Sequence, residues 1–138
     1  MSNLIKNIVI EPSGIPLLKK FLDTASIRHK LIAGNIANIS TPGYRSQDID
    51  FHGELNKALN HKERLEGACT HPSHLPIGQS RDKGPDVLVD KSPESNGINN
   101  VDIDHEVANL AQNQIYYSIG ARLLASKFQG IRNVIKSK

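Results

Sequence analysis

Apolar residues recur at alternating spacings of three and four near both ends of the chain, and this pattern constrains the fold most strongly. We call the two sets the N-terminal and C-terminal stripes. The N-terminal stripe consists of Leu18, Leu22, Ala25, His29, Ile32, Ile36 and Ile39. The C-terminal stripe consists of Ile103, Val107, Leu110, Gln114, Tyr117, Ala121, Leu124, Phe128, Ile131 and Ile135. Because such spacing places side chains on one face of a helix, the stripes predict two long helices that pack together.

Proline, glycine and charge set the bounds of these helices. Pro16 suits a first helical turn, and Pro42 ends the helix because it lacks an amide hydrogen, which predicts a helix over 15–39. Acidic residues at the start of the C-terminal stripe and basic residues in its later half suit a helix dipole over 103–136. Residues 3–11 extend the N-terminal stripe backward and could prolong the first helix.

The middle of the chain lacks long helical periodicity. We predict an extended segment after Tyr44, a short amphipathic helix near 52–63, and a strand at Val87, Leu88 and Val89 within an otherwise irregular lobe. The fold class is therefore mainly α: an antiparallel, coiled-coil-like hairpin of terminal helices with a small, partly extended midchain lobe. We divide the chain into 1–43, 44–100 and 101–138, which together form one domain.

Composition excludes several classes of protein. The chain has three Phe, three Tyr and no Trp among 138 residues, so its core must be mostly aliphatic. A net charge of +3 without a basic block does not indicate nucleic-acid binding. Cys69 is the single cysteine, which rules out an intrachain disulfide. No stretch approaches the roughly twenty apolar residues of a membrane span, and the first residues do not have the pattern of a cleavable secretory signal.

The sequence gives no catalytic, cofactor or metal site. His71 and His74 lie close to Cys69, but no second ligand pair follows them as a zinc site would require. Two pairs of carboxylates, Asp48 with Asp50 and Asp102 with Asp104, adjoin turns and helix starts, where capping is the expected role. His29 and Gln114 interrupt the stripes, where they either fix the register of the helix pair or face solvent at its edge.

The end of the first helix has a distinct composition. Asn35 and Asn38 flank Ile36, and small residues around them allow another helix to approach closely. Pro42 and Gly43 then force an abrupt exit, and Tyr44, which follows them, can anchor the turn. These features predict a packing surface rather than a pocket.

The same segment resembles the N-terminal signature of bacterial flagellar rod and hook proteins, in which a helix ending in Asn-x-x-Asn precedes Thr-Pro-Gly-Tyr. Residues 99–130 resemble the C-terminal helix of the proximal rod subunits within this family, and 44–51 and 70–75 are similar to other parts of the same subunits. The chain has Gly34 where the family usually has Asn.

The resemblance implies a non-enzymatic rod subunit that is exported through the flagellar type III apparatus and polymerises into the tubular rod of the basal body. It implies contact with other proximal rod proteins, with the ring and export-gate adaptor, and with further copies of the chain, but none with nucleic acid and no membrane span. The expected assembly interface comprises Leu18, Leu22, Ala25, Ile32, Asn35, Ile36, Asn38, Ile39, Pro42, Gly43, Tyr44, Val107, Leu110, Gln114, Tyr117, Ala121, Leu124, Phe128 and Ile131.

Two other classes of function are compatible with a helical hairpin. A soluble helical adaptor or chaperone would bind one partner helix in its groove and remain monomeric. A small basic nucleic-acid binder would show strongly salt-dependent affinity, because binding to phosphates releases counterions.

Overall fold

A computed structural model describes residues 14–60, 84–94 and 97–137. The described elements, in chain order, are α1 (Ile15–Ala37), β1 (Gln47–Ile49), α2 (Phe51–Leu59), β2 (Val87–Val89) and α3 (Ile103–Lys136). The predicted mainly helical fold with paired terminal helices is confirmed. The possible helical extension over 3–11 and the residues Cys69, His71 and His74 lie outside the described residues.

Helix α1 begins where the sequence predicts but ends two residues earlier than the predicted 39. Pro16 lies in its first turn, and Gly14 precedes it in the left-handed conformation with φ 73°. At the other end the side-chain amide of Asn38 donates to the carbonyl of Gly34 at 2.8 Å. The backbone then turns, and Gly43 takes a φ of 71°, which a residue with a side chain rarely adopts.

Helix α3 has the predicted bounds and lies antiparallel to α1. The side chain of Asp102 caps it by accepting hydrogen bonds from the amides of Asp104 and His105. Its 34 residues give a length of about 50 Å. Asn113 contacts Ala25, and Gly120 lies against the side chain of Phe21, so numbers rise along one helix as they fall along the other.

The midchain lobe contains a short helix and a two-stranded sheet. Asp50 caps α2 by accepting a hydrogen bond from the amide of Gly53 at 2.9 Å. This helix ends at Leu59, before the predicted residue 63, because its apolar positions stop there and a polar residue follows. Strand β2 is confirmed, and it pairs antiparallel with β1 so that Asp48 lies opposite Leu88.

A small core lies where α1, α2 and α3 meet. Phe51 packs edge-on against Phe21, with ring centroids 5.0 Å apart, and lies 5.5 Å from the ring of Tyr116. The apolar side chains buried among the described residues are Ala25, Ile32, Ile49, Phe51 and Val101. The lobe is therefore packed onto the helix pair.

A candidate assembly surface on the helix hairpin

Polar residues occupy much of the contact between α1 and α3. On α1, Ala25 and Ile32 of the N-terminal stripe are buried, together with the polar residues Thr24, Arg28 and Asn35. His29 is exposed, in agreement with the solvent-facing alternative. The spacing of Ala25, Arg28, Ile32 and Asn35 is still that of a coiled coil, while three of the five buried residues of α1 are polar.

The buried row of α3 lies one residue before the C-terminal stripe. Its members Glu106, Asn113 and Gly120 are seven residues apart. Asn113 donates to the carbonyl of Ala25 at 2.9 Å, which fixes this face of α3 toward α1. The stripe members that follow two of them, Val107 and Gln114, are exposed. Much of the C-terminal stripe therefore borders the contact between the helices.

The structure places the predicted interface residues in three classes. Buried members are Ala25, Ile32 and Asn35. Half-buried members are Leu18, Leu22, Ile36, Asn38, Ile39, Tyr44, Leu110, Ala121, Leu124 and Ile131. Exposed members are Pro42, Gly43, Val107, Gln114, Tyr117 and Phe128. Hence only some residues of the two stripes are buried between the helices of a single chain.

Asn35 connects α1 to both α3 and the lobe. Its side-chain oxygen accepts from the amide of Gln47 at 3.0 Å and from the hydroxyl of Tyr44 at 3.2 Å. Its side-chain amide donates to the carbonyl of Gln47 at 2.9 Å and to Oε1 of Glu106 at 3.0 Å. The side chain thus satisfies the backbone of β1 much as a neighbouring strand would.

Glu106 is a buried carboxylate with one unpartnered oxygen. The residue is 6% exposed, and Oε2 has no hydrogen-bond partner among the described residues. Burial raises the pKa of Glu106 above its ordinary value, although the hydrogen bond from Asn35 opposes this shift. Burial also raises the pKa of the Tyr44 hydroxyl, and the negative charge of Glu106 is the second cause of this shift.

Arg28 forms the other charged contact of this region. Its guanidinium donates to both carboxylate oxygens of Asp48, at 2.7 and 2.8 Å, and so ties α1 to β1. The bond to Asp48 raises the pKa of Arg28. Asp48 therefore has a partner across the fold, which differs from the capping role predicted for the pair of Asp48 and Asp50; Asp50 does cap α2.

Asn99 ties the segment before α3 to the end of α1. Its side-chain amide lies 2.8 to 3.1 Å from three carbonyl oxygens, those of Asn38, Ile39 and Thr41. Next to it, Asn100 accepts from the amide of Ser46 at 2.9 Å. Both asparagines are buried, although the sequence predicted no contact for either of them. The available signal in the sequence was that two asparagines stand together just before the residue that caps a helix.

A second apolar row on α3 was also missed. Ile115, Ile119 and Leu123 follow one another at spacings of four and are 58%, 48% and 50% exposed, and we call them the outer stripe. Residues four apart share a helix face, so their spacing alone could have revealed this row. Together with the exposed members of the C-terminal stripe, it gives α3 an extended apolar surface.

The described part of the chain contains neither a cluster of metal ligands nor a helix that could span a membrane. Within residues 14–60, 84–94 and 97–137, no three His, Cys, Asp or Glu side chains are grouped as metal ligands would be. None of the helices in these ranges combines the length and the apolar character of a membrane-crossing segment.

Comparison with known proteins identifies the family. The chain matches no protein-family model. It is 35% identical over 123 residues to the flagellar basal body rod protein FlgB of Borreliella burgdorferi, which covers 85% of this chain and 91% of the relative. It is also 35% identical to FlgB of Salmonella typhimurium, over 83% of this chain and 87% of the relative, and to FlgB of Bacillus subtilis, over 86% and 89%. These similarities extend over nearly the whole length of proteins from distant bacteria, and the chain therefore belongs to the FlgB family of flagellar basal body rod proteins.

Proposed function

We propose that this member of the rod family is a non-enzymatic subunit of the proximal rod, which polymerises through its terminal helices into the tubular drive shaft that crosses the periplasm. Its neighbours are other proximal rod proteins, the ring and export-gate adaptor, and further copies of the chain. The chain reaches this location through the flagellar type III apparatus.

The exposed apolar surface of α3 is the observation that carries this proposal. Fourteen large apolar side chains are exposed among the described residues, and nine of them belong to α3. Phe128 and Ile135, both in the C-terminal stripe, are 53% and 71% exposed. Monomeric proteins rarely leave so much contiguous apolar surface in water, whereas repeated contacts between identical or related subunits bury it.

A charge placed in the C-terminal stripe tests the proposal. Leu124 is half-buried at the edge of the helix contact, and the adjacent Ala125 is exposed. We expect Leu124→Asp to abolish incorporation into the rod, because assembly would bury an unpaired carboxylate. Ala125→Asp adds the same charge one residue away and is expected to incorporate normally.

The measurement is recovery of the tagged chain with basal bodies purified from detergent-solubilised envelopes, together with swimming motility. Both variants must be present at wild-type levels in whole-cell extracts. Normal motility of the Leu124→Asp strain would contradict the proposal, as would absence of the wild-type chain from purified basal bodies. A stable monomer that joins no rod component would favour the adaptor alternative.

A further inference from the structure

The outer stripe of α3 begins on the face of the helix opposite α1. Asn113, whose side chain donates to the carbonyl of Ala25, marks the direction of α1. Ile115 lies two residues later, which is about 200° further round the helix. Each of the three residues of the outer stripe is about half exposed. The contact between α1 and α3 therefore leaves this row open to another molecule.

Basic side chains stand at both borders of the outer stripe. Arg122 follows Ile119 by three residues and Lys127 follows Leu123 by four, so each adjoins a member of the stripe on the helix surface. A step of three residues falls short of a full turn and a step of four exceeds it, so the two basic residues lie on opposite sides of the row. Both are exposed, and neither has a hydrogen-bond or ion-pair partner among the described residues.

The charge of these borders is not balanced on α3 itself. After Glu106 the sequence contains no Asp or Glu. A partner that covers the apolar row must therefore bring its own charges close to two unpaired cations. Acidic groups in those positions would be attracted, whereas basic groups would be repelled.

The described helices of a second copy do not offer an acidic face. Helix α1 contains four Lys or Arg residues and one Asp. Helix α3 contains four Lys or Arg residues, and its two acidic residues both lie in the first turn. Helix α2 contains one Glu and one Lys and has only nine residues. Either long helix laid on the outer stripe would bring like charges together, so the charges favour a different protein as the partner.

The shape of the row favours a helix as the partner. Side chains four residues apart form a ridge, and such ridges fit into the grooves between the side chains of another helix. A membrane surface would meet one face of α3 only. Exposed apolar residues such as Tyr117 and Phe128, however, belong to the C-terminal stripe rather than to the outer stripe. Apolar surface on more than one side of a helix is typical of packing among several helices.

We propose that the outer stripe binds an amphipathic helix of a different protein, whose acidic side chains flank its apolar row and pair with Arg122 and Lys127. The inference rests on the proposed function, because it identifies the chemistry of one neighbour of this rod subunit. It leaves the exposed members of the C-terminal stripe to contacts with further copies.

Photocrosslinking in purified basal bodies tests the proposal. p-Benzoylphenylalanine introduced at Ile119 should form an adduct with a protein other than this chain. Mass spectrometry of the adduct should identify a crosslinked segment with a net negative charge and with apolar residues at spacings of three and four. Both properties are required, since an adduct with an arbitrary protein would not support the proposal.

Charge reversal at the borders gives an independent test that does not alter the apolar row. Arg122→Glu combined with Lys127→Glu should lower recovery of the chain with purified basal bodies at least about tenfold, because acidic groups would then face acidic groups. Arg122→Lys combined with Lys127→Arg keeps both charges and should be recovered like wild type. All these changes are at exposed positions, so the free energy of unfolding should change little.

A matched control separates this contact from the effect of net charge. Lys30→Glu combined with Lys136→Glu changes the net charge by the same amount at two exposed positions that do not border the outer stripe. Recovery of this variant should stay within about twofold of wild type.

Several outcomes would overturn the proposal. These are an adduct with a second copy of the chain, with a neutral or basic segment or with a phospholipid, and the absence of any adduct. Normal recovery of the variant with Arg122→Glu and Lys127→Glu would also overturn it, as would an equal loss for the matched control. The rod assignment would survive each of these results if the wild-type chain were still recovered with basal bodies, so the two failures are distinguishable.

Discussion

At the scale of single residues, buried amides and carboxylates decide how this chain is held together. Asn35 was predicted as part of a packing surface from its place at a helix end, and the structure gives it contacts with both Gln47 and Glu106. Sequence reasoning could not identify these partners, because Gln47 and Glu106 lie 12 and 71 residues away. A polar residue reveals its role only when the fold supplies its partner.

The burial of Glu106 predicts a specific pH dependence of stability. Its pKa is raised in the folded chain, so the folded state holds its proton more tightly than the unfolded state does. The contribution of Glu106 to the free energy of unfolding is therefore largest below the ordinary Glu pKa. It declines as the pH rises through the raised pKa of the folded chain. Glu106→Gln should lack this decline and be at least as stable as wild type near neutral pH.

Urea denaturation from about pH 4 to about pH 8 measures this effect as the difference between wild type and Glu106→Gln. Asp104→Asn serves as the control, because it changes an exposed carboxyl of the same turn. A difference that does not vary with pH would show that the charge of Glu106 is not disfavoured by folding.

At the scale of helices and strands, the bounds were predictable and the contact faces were less so. Pro16 and Asp102 mark the starts of the two long helices through local chemistry that needs no knowledge of the fold. The face that α3 presents depends on polar contacts such as the hydrogen bond from the side-chain amide of Asn113 to the carbonyl of Ala25, which a search for apolar periodicity overlooks. For this reason the buried row of α3 lies one residue before the predicted stripe.

The close approach of α1 and α3 at Gly120 leads to a prediction about the helix pair. A Cβ atom at Gly120 would lie 2.8 Å from the ring of Phe21, so Gly120→Ala should destabilise the chain by about 1–3 kcal/mol. Gly130 lies in the same helix with nothing within 4 Å of its Cβ direction. Gly130→Ala should therefore stabilise the chain by up to about 1 kcal/mol.

Denaturant unfolding followed by circular dichroism would measure both glycine variants. The opposite signs are the essential result, since helix propensity alone predicts that both changes stabilise the chain. Equal stabilisation by the two substitutions would mean that α1 and α3 are farther apart at Gly120 than the structure shows.

At the scale of the whole molecule, contacts between distant segments join the lobe to the paired helices. The sequence predicted the hairpin because both stripes share one period, but it did not predict how the lobe attaches. That attachment depends on Arg28 with Asp48 and on Asn99 with the end of α1, which join distant segments. Much of the apolar surface of α3 stays exposed in the single chain.

The outer stripe gives a prediction about this surface. Ile119 is 48% exposed in the isolated chain, so Ile119→Asp should leave the free energy of unfolding nearly unchanged. If neighbouring subunits cover the outer stripe, the same change should prevent assembly of purified chains with rod partners, as seen by electron microscopy. Ser118→Asp, an exposed change one residue away, should assemble normally. Normal assembly of Ile119→Asp would remove the outer stripe from the interface.

The polar contacts between α1 and α3 also fix the position of one helix along the other. Two apolar helix faces can slide past each other by one turn and regain similar contacts. Here a slip of one turn, about 5.4 Å, would separate Asn113 from the carbonyl of Ala25 and Asn35 from Glu106 at the same time. The hairpin therefore resists sliding of one helix along the other by a whole turn, because such a slip would break both hydrogen bonds together.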